Sequence, residues 1–309
     1  MAGAVTGVPG GITDFANQRP VIFGEVLFDR FPDGSVVLGG APFNVAWHLQ
    51  AFGVAPLFIS RVGNDALGRT IRDSMHAWEM DTSGLQLDSA HPTGSVVIHI
   101  EDGEPGYDIV DNQAYDFIDP AAMPPLPDCA LLYHGSLAVR NAGSRRALQQ
   151  LLQGRDLQQL VDVNLRPPWW QRDTVMSLLQ GAAWIKLNEA ELSLLVPEAD
   201  TLLGQMQHLQ ERCGAELLIV TRGAAGAVVL ASGSEEFRVE PQGHSGVVDT
   251  VGAGDAFTSV VILGLLRGWD VPLMLKHAQA FASAITGIRG ATHNDPGFYQ
   301  PFIDNWKLI

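Results

Sequence analysis

The residues best suited to chemistry lie toward the carboxyl end, in Asp249-Thr250-Val251-Gly252-Ala253-Gly254-Asp255. Three small residues in a row leave the backbone uncovered, just ahead of an apolar segment over 256–266 that is long enough to be a buried helix. At the start of such a helix several main-chain N–H groups point at one spot, and the helix dipole adds to them. That arrangement is an anion hole suited to a phosphoryl group in transfer. Asp255 falls in the first turn, where a carboxylate can take a proton from a hydroxyl about to attack phosphorus. The same residues would also make a tight helix-entry turn with Asp255 as a charge partner, and a glycine-rich turn alone does not separate the two.

Other clusters could line the same site. Gly39-Gly40-Ala41-Pro42-Phe43-Asn44 opens the first long helix. Its glycines let a ligand approach the backbone, and Asn44 offers both a donor and an acceptor, which suits sugar hydroxyls. Asp29 lies just past the first strand, where open α/β sheets bind ligands. Each could equally be surface: a helix-entry turn for the first, a solvated loop charge for the second. Asn188-Glu189-Ala190-Glu191 follows an apolar strand. Asn188 and Glu191 have capping-box spacing, and their oxygens could also hold a hydrated Mg²⁺ beside nucleotide phosphates. Thr221-Arg222-Gly223-Ala224-Ala225-Gly226 either shapes a nucleotide pocket or turns one strand into the next. Arg166, in Asp162-Val163-Asn164-Leu165-Arg166, is a candidate clamp for phosphate or substrate, or a surface arginine. The histidines show no metal-ligand spacing and read as core or surface residues. Neither a GxGxxG dinucleotide fingerprint nor a GxSxG elbow is present.

These residues need elements to position them. Val21-Ile22-Phe23 reads as a first strand, followed by a helix near Pro42 whose Val45, Leu49 and Phe52 form a buried stripe closed by Gly53. Residues 56–62 read as a strand. Asn64 or Asp65 caps a further helix with Leu67, Ile71, Met75 and Trp78 on one face. After Pro127 the rhythm resumes, with strands over 130–133, 160–163, 183–187, 217–221 and 227–230. Helices are expected over 144–153, 189–195, 202–213, 254–266 and 273–287. This alternation predicts a parallel sheet covered on both sides. Two segments lack crossover helices. Residues 26–38 turn at Pro32-Asp33-Gly34, and residues 94–117 carry two strands around Asp102-Gly103. They are expected to form a small antiparallel sheet built from insertions into a single α/β body, and its bare face must cover something.

With 19 basic and 34 acidic residues the formal net charge is −15. That argues against nucleic acid or an anionic membrane as partner, though backbone amides can still hold a small phosphorylated ligand. Two cysteines, Cys129 and Cys213, cannot build a disulfide framework or a four-thiolate zinc site. They read as packed thiols in a reducing compartment. The amino-terminal residues lack the pattern of a signal peptide, and the apolar run over 256–266, interrupted by Thr258 and Ser259, is shorter than the roughly 20 residues of a membrane span. A cytoplasmic protein is expected.

Taken in order, these segments resemble the ribokinase-like, or PfkB, family of sugar kinases. The matching segments are Gly24-Glu25 with Asp29, Gly39 to Asn44, Arg61-Val62-Gly63-Asn64-Asp65 with Gly68, Asp162 to Arg166, Asn188 to Glu191, Thr221 to Gly226 and Asp249 to Asp255. The resemblance implies an α/β body with a β-sheet lid and ATP as donor. It implies Asp255 as base, the amides of Gly252, Ala253 and Gly254 as anion hole, and Asp29, Gly39, Gly40 and Asn44 as sugar ligands. Asn188 and Glu191 would organise Mg²⁺ and phosphate. Thr221, Gly223 and Gly226 would border the nucleotide. Asp249 and the Val251 carbonyl match a position that often holds a monovalent cation, K⁺, and 288–292 resembles the loop near adenine. Ala41-Pro42 after the glycines is similar to fructokinases, so fructose is the expected sugar. Kinases for 2-keto-3-deoxygluconate, ribose or nucleosides are the alternatives within the family, and a catalytically idle sugar-binding regulator is the alternative outside it. Phe28, Phe31, Val97, Ile98, Ile109 and Val110 can give the lid an inner and an outer apolar face, which predicts a homodimer joined through the lids.

Overall fold

The computed structural model describes residues 18–101, 104–128, 131–241 and 246–308. The amino-terminal segment, the Asp102-Gly103 turn, Cys129 and Ala130 lie outside them. The chain begins with β1 (Val21–Phe23), β2 (Leu27–Arg30), β3 (Val36–Gly39), α1 (Ala41–Ala51), β4 (Leu57–Gly63), α2 (Ala66–Ala77) and β5 (Leu85–Asp88). The hairpin β6 (Gly94–Glu101) and β7 (Glu104–Ile109) follows, then β8 (Leu131–His134), α3 (Ala142–Leu152), β9 (Gln158–Asp162) and α4 (Arg172–Leu179). The remainder is β10 (Trp184–Asn188), α5 (Glu189–Leu195), α6 (Leu202–Cys213), β11 (Leu217–Thr221), β12 (Ala227–Ala231), β13 (Glu236–Val239), α7 (Ala253–Arg267), α8 (Val271–Ile285) and α9 (Pro296–Trp306).

The large sheet runs β13-β12-β11-β10-β9-β8-β1-β4-β5. It is parallel from β11 to β5, and β12 and β13 close one edge antiparallel. Strands β1, β11 and β12 read as nearly unbroken apolar runs because both faces are covered. In β11, Leu217 and Ile219 join the core under α7 and α8, whereas Leu218 and Val220 join the core under α5 and α6. Helix α7 is buried from Ala256 through Leu266, so the longest apolar stretch of the sequence is a central helix. Its polar interruptions are satisfied: Ser259 Oγ donates to the Ala256 carbonyl (2.7 Å), and Thr258 Oγ1 sits 2.9 Å from the Gly254 carbonyl while its single hydrogen is given to the stronger acceptor, the Asp162 carboxylate. Among the described residues no helix is long and apolar enough to cross a membrane.

The small sheet runs β3-β2-β6-β7. Both expected hairpins form, but β2 and β6 pair parallel, so the sheet is mixed rather than wholly antiparallel. The reason is topological: β6 arrives only after β4, α2 and β5 have been threaded through the large sheet. Register puts Val37, Asp29, Val96 and Ile109 on one face. There Val96 and Ile109 pack with Leu27, Tyr115, Leu137 and Ala138. Phe28, Ile98 and Ile109 are buried, whereas Phe31, Val36, Val97 and Val110 are more than a third exposed.

Four elements were not anticipated. β5 and β13 are four-residue edge strands, too short for a periodic signal. α4 has only Val175, Met176 and Leu179 as its buried side. α9 contains Pro301 in its interior, normally a helix breaker. What holds α9 is aromatic packing: Tyr299 and Phe302 lie against Phe281, and Trp306 against Phe52.

Candidate active site

The carboxyl ends of the parallel strands define the site, and α7 points its amino terminus into it. Gly252 precedes the helix with φ +79°, a left-handed conformation that glycine adopts without strain. A Cβ there would also fall 2.4 Å from Ala291. The first amides of a helix have no intrahelical acceptor. Here the Ala253 N–H makes only a long 3.4 Å bond to the Thr250 carbonyl, which leaves it free to turn to a ligand.

Asp255 sits in that first turn, half-buried. Burial raises its pKa to about 6, and the nearby Asp162 carboxylate adds to the rise. Offsetting them are a 2.8 Å hydrogen bond from Asn44 Nδ2 and the charges of Lys186 and Arg166. Asn44 is brought there by α1, across 211 positions of sequence. Beneath the turn lies a buried ion pair: Lys186 Nζ donates to Asp162 Oδ2 at 2.7 Å, and Thr258 Oγ1 donates to the same oxygen at 3.0 Å. A Cβ on Gly254 would be 3.7 Å from that ammonium. A cation under the positive end of a helix adds to its attraction for an anion.

Of the predicted sugar ligands, Asn44 meets Asp255 directly, and Gly39 and Gly40 lie close to Asp29 and Glu25 respectively. A Cβ on Gly39 would lie 3.7 Å from Asp29 Oδ2, and one on Gly40 would clash with the Glu25 carbonyl at 2.7 Å. Burial raises the pKa of Asp29, and Arg166 pulls it back. Glu25 is 2 % exposed with Oε2 unpartnered. Its burial raises its pKa to about 7, Asp255 pushes it further, and Arg166 and Arg140 oppose. Arg166 itself is exposed, and its charge acts on Asp29, Glu25 and Asp255 together.

At the start of α5 the capping-box expectation is met. Asn188 Oδ1 accepts from the Glu191 N–H (2.8 Å) and Glu191 Oε2 from the Asn188 N–H (2.8 Å). Glu191 Oε1 accepts from the Leu165 N–H at 2.7 Å, which ties the Asp162–Arg166 loop to α5. Burial raises the pKa of Glu191. Asn188 pairs with Thr221 across β10 and β11. Gly223 and Gly226 lie in the turn from β11 to antiparallel β12, where a Cβ on Gly226 would strike the Val239 carbonyl. Arg222 pairs with Glu189 at 3.0 Å. Asp249 accepts from the N–H groups of Val251 (3.0 Å) and Gly290 (3.1 Å), so it joins the turn to the 288–292 loop.

The sequence reading assigned no role to Glu25 or Lys186. Each carried a signal: a carboxylate directly after a buried strand, and a lysine inside the apolar run Trp184-Ile185-Lys186-Leu187. Both are charges that burial tolerates only with partners or a shifted pKa.

A carboxylate that titrates near neutrality, beside helix amides open to an anion, is suited to deprotonating a hydroxyl while phosphoryl charge develops next to it. On this sheet topology it defines a kinase of ribokinase-like fold. A family model described as pfkB family carbohydrate kinase matches residues 16–296, and the chain belongs to that family. It is 32 % identical over 265 residues to a fructokinase of Klebsiella pneumoniae, covering 81 % of this chain and 85 % of the relative. A fructokinase from Vibrio cholerae O395, solved with fructose, ADP and calcium ion, superimposes with TM-score 0.81 at 25 % identity, over 92 % of this chain and 99 % of the other. A double mutant of that fructokinase, solved with fructose, ADP and potassium ion, gives TM-score 0.81 at 25 % identity, over 93 % and 99 % of the two chains.

Proposed function

We propose that this carbohydrate kinase transfers the γ-phosphoryl group of ATP to fructose. The Asn44–Asp255 hydrogen bond carries the reading, because it joins the sugar-side glycine turn to the amino terminus of α7. Asp255 takes the proton of the attacking sugar hydroxyl. The oxygen bonds to the γ-phosphorus, the bond to the β-phosphate oxygen breaks, and ADP leaves. The amides of Gly252, Ala253 and Gly254 face the charge that builds on the transferred group, with Lys186 beneath them. Asp29, Gly39, Gly40 and Asn44 hold the sugar hydroxyls, and Arg166 stands at the edge to clamp sugar or phosphate. Similarity to fructokinases supports fructose among sugars.

The donor set suits Mg²⁺ held through water. Both Glu191 oxygens already accept an amide, each keeping a lone pair for a hydrating water. Bound there, the ion would neutralise phosphate charge. Thr221, Gly223 and Gly226 border the nucleotide. Asp249 and the Val251 carbonyl are the place for K⁺, in line with the potassium in the fructokinase mutant. The small sheet, over about 26–38 and 94–117, acts as the lid of a single kinase domain and keeps water from the γ-phosphate. Its exposed Phe31, Val36, Val97 and Val110 support a homodimer through the lids. The enzyme is read as cytoplasmic, where ATP is at hand.

ADP release measured across a sugar panel tests the reading, with fructose expected to give the highest kcat/KM. Turnover confined to another sugar would remove fructose. Absence of sugar-dependent ADP release, with ATP and Mg²⁺ still raising Tm, would point to the idle regulator. Light scattering at micromolar concentration tests the dimer, which a monomeric mass would exclude.

A further inference from the structure

One helical turn after Asn44, on the same face of α1, lies His48. It is wholly buried, with Phe281 edge-on to its ring. Its Nε2 is 3.0 Å from the Ala291 carbonyl oxygen and its Nδ1 is 3.0 Å from the Tyr299 hydroxyl. A carbonyl only accepts, so Nε2 carries the hydrogen and Nδ1 accepts from Tyr299. Burial keeps the ring neutral, with its pKa down at about 3. The preceding residue, Trp47, donates from Nε1 to the His293 carbonyl at 3.0 Å. Helix α1 therefore grips the 291–293 segment at two points.

The other side of that segment meets the phosphoryl end of the site. Ala291 packs so tightly on Gly252 that a Cβ there would lie 2.4 Å from its Cα. The neighbouring Gly290 N–H bonds Asp249 Oδ2. We infer that His48 is a positioning residue for phosphoryl transfer: by holding the Ala291 carbonyl it seats the 290–291 backbone on Asp249 and Gly252, and so sets the anion-hole amides relative to Asp255. Asn44 and His48, on one helix face, fix the base and the anion hole to a common frame. The inference rests on the proposed role of the Gly252–Gly254 amides.

Two variants of similar size separate positioning from packing. His48→Gln keeps an N–H where Nε2 stands, and His48→Asn leaves the Ala291 carbonyl without its donor. Both remove the ring, and both should melt earlier than the parent. With kcat counted per folded molecule, His48→Gln should stay within about threefold of the parent, whereas His48→Asn should fall by about 10–100-fold, the scale of a misplaced reacting group or a lost oxyanion donor. KM for the sugar should move by less than about threefold in both, since Asn44 and Asp29 are untouched. Equal kcat in the two variants, with a parent that turns over sugar, overturns the role of His48 alone. A parent without sugar-dependent turnover would remove the kinase reading, and this inference with it.

Discussion

Replacing Asn44 by leucine tests how the site sets the basicity of Asp255. The side chains are close in size, and position 44 is 4 % exposed, so the packing should hold. The change removes the 2.8 Å hydrogen bond to Asp255 Oδ2. A hydrogen bond to a charged group contributes about 1.5–3 kcal/mol, and about 1.4 kcal/mol corresponds to one pKa unit. Losing it should therefore lift Asp255 by about one to two units above its present value of about 6. A general base works deprotonated, so activity falls as pH drops through its pKa. The acid limb of kcat/KM should lie near pH 6 in the parent and about one unit or more higher in the variant. Coupled ADP-release rates at constant ionic strength between pH 5.5 and 9 measure both. Leucine also forfeits the proposed contacts of Asn44 with the sugar, which should lower the plateau without moving the limb. Glu25 titrates nearby, at about 7, so the pair should be repeated in a Glu25→Gln background. An acid limb that stays put in both backgrounds would refute the assignment of Asp255 as the titrating base.

Asp255→Asn should keep the fold and ATP binding and lower kcat by a factor on the order of 10²–10⁴; near-parental turnover in single-turnover assays would count against it. Glu25 has a folded pKa above its unfolded one, so it favours the folded state below about pH 4.5 and loses that contribution as pH rises through about 7. Glu25→Gln should accordingly be more stable than the parent at pH 8, by an amount on the order of 3 kcal/mol, with the gap closing as pH falls to about 4.5 in urea titrations. Lys186→Met leaves Asp162 buried with Thr258 as its remaining partner and should cost about 3–5 kcal/mol. Lys186→Met should also raise KM for ATP, because the charge beneath the α7 turn is lost; adding Asp162→Asn should recover most of the stability in unfolding titrations and leave KM raised.

What local chemistry decides was legible in the residues alone. The Asn188–Glu191 capping box, the Asp65 cap of α2 and the glycine entry to α7 depend on neighbours within a few positions, and each forms as read. The alternation of β11, buried on both faces, likewise needs only a sheet with two covered sides. α9 was not legible, because a proline in its interior spoke against a helix and the aromatic packing that overrides it comes from distant segments. The parallel joint between β2 and β6 depends on which strands intervene in the large sheet, not on either hairpin. Roles for Glu25, Lys186 and His48 were hidden for a related reason. A pKa near neutrality comes from the loss of water around a carboxyl, and an ion pair under a helix from strands and helices laid against one another. Neither is a property of a short stretch of chain. The residue types at the site were written in seven short segments. That Asn44 meets Asp255, and that Ala291 rests on Gly252, was decided only when α1, α7 and the 288–293 loop closed on one another.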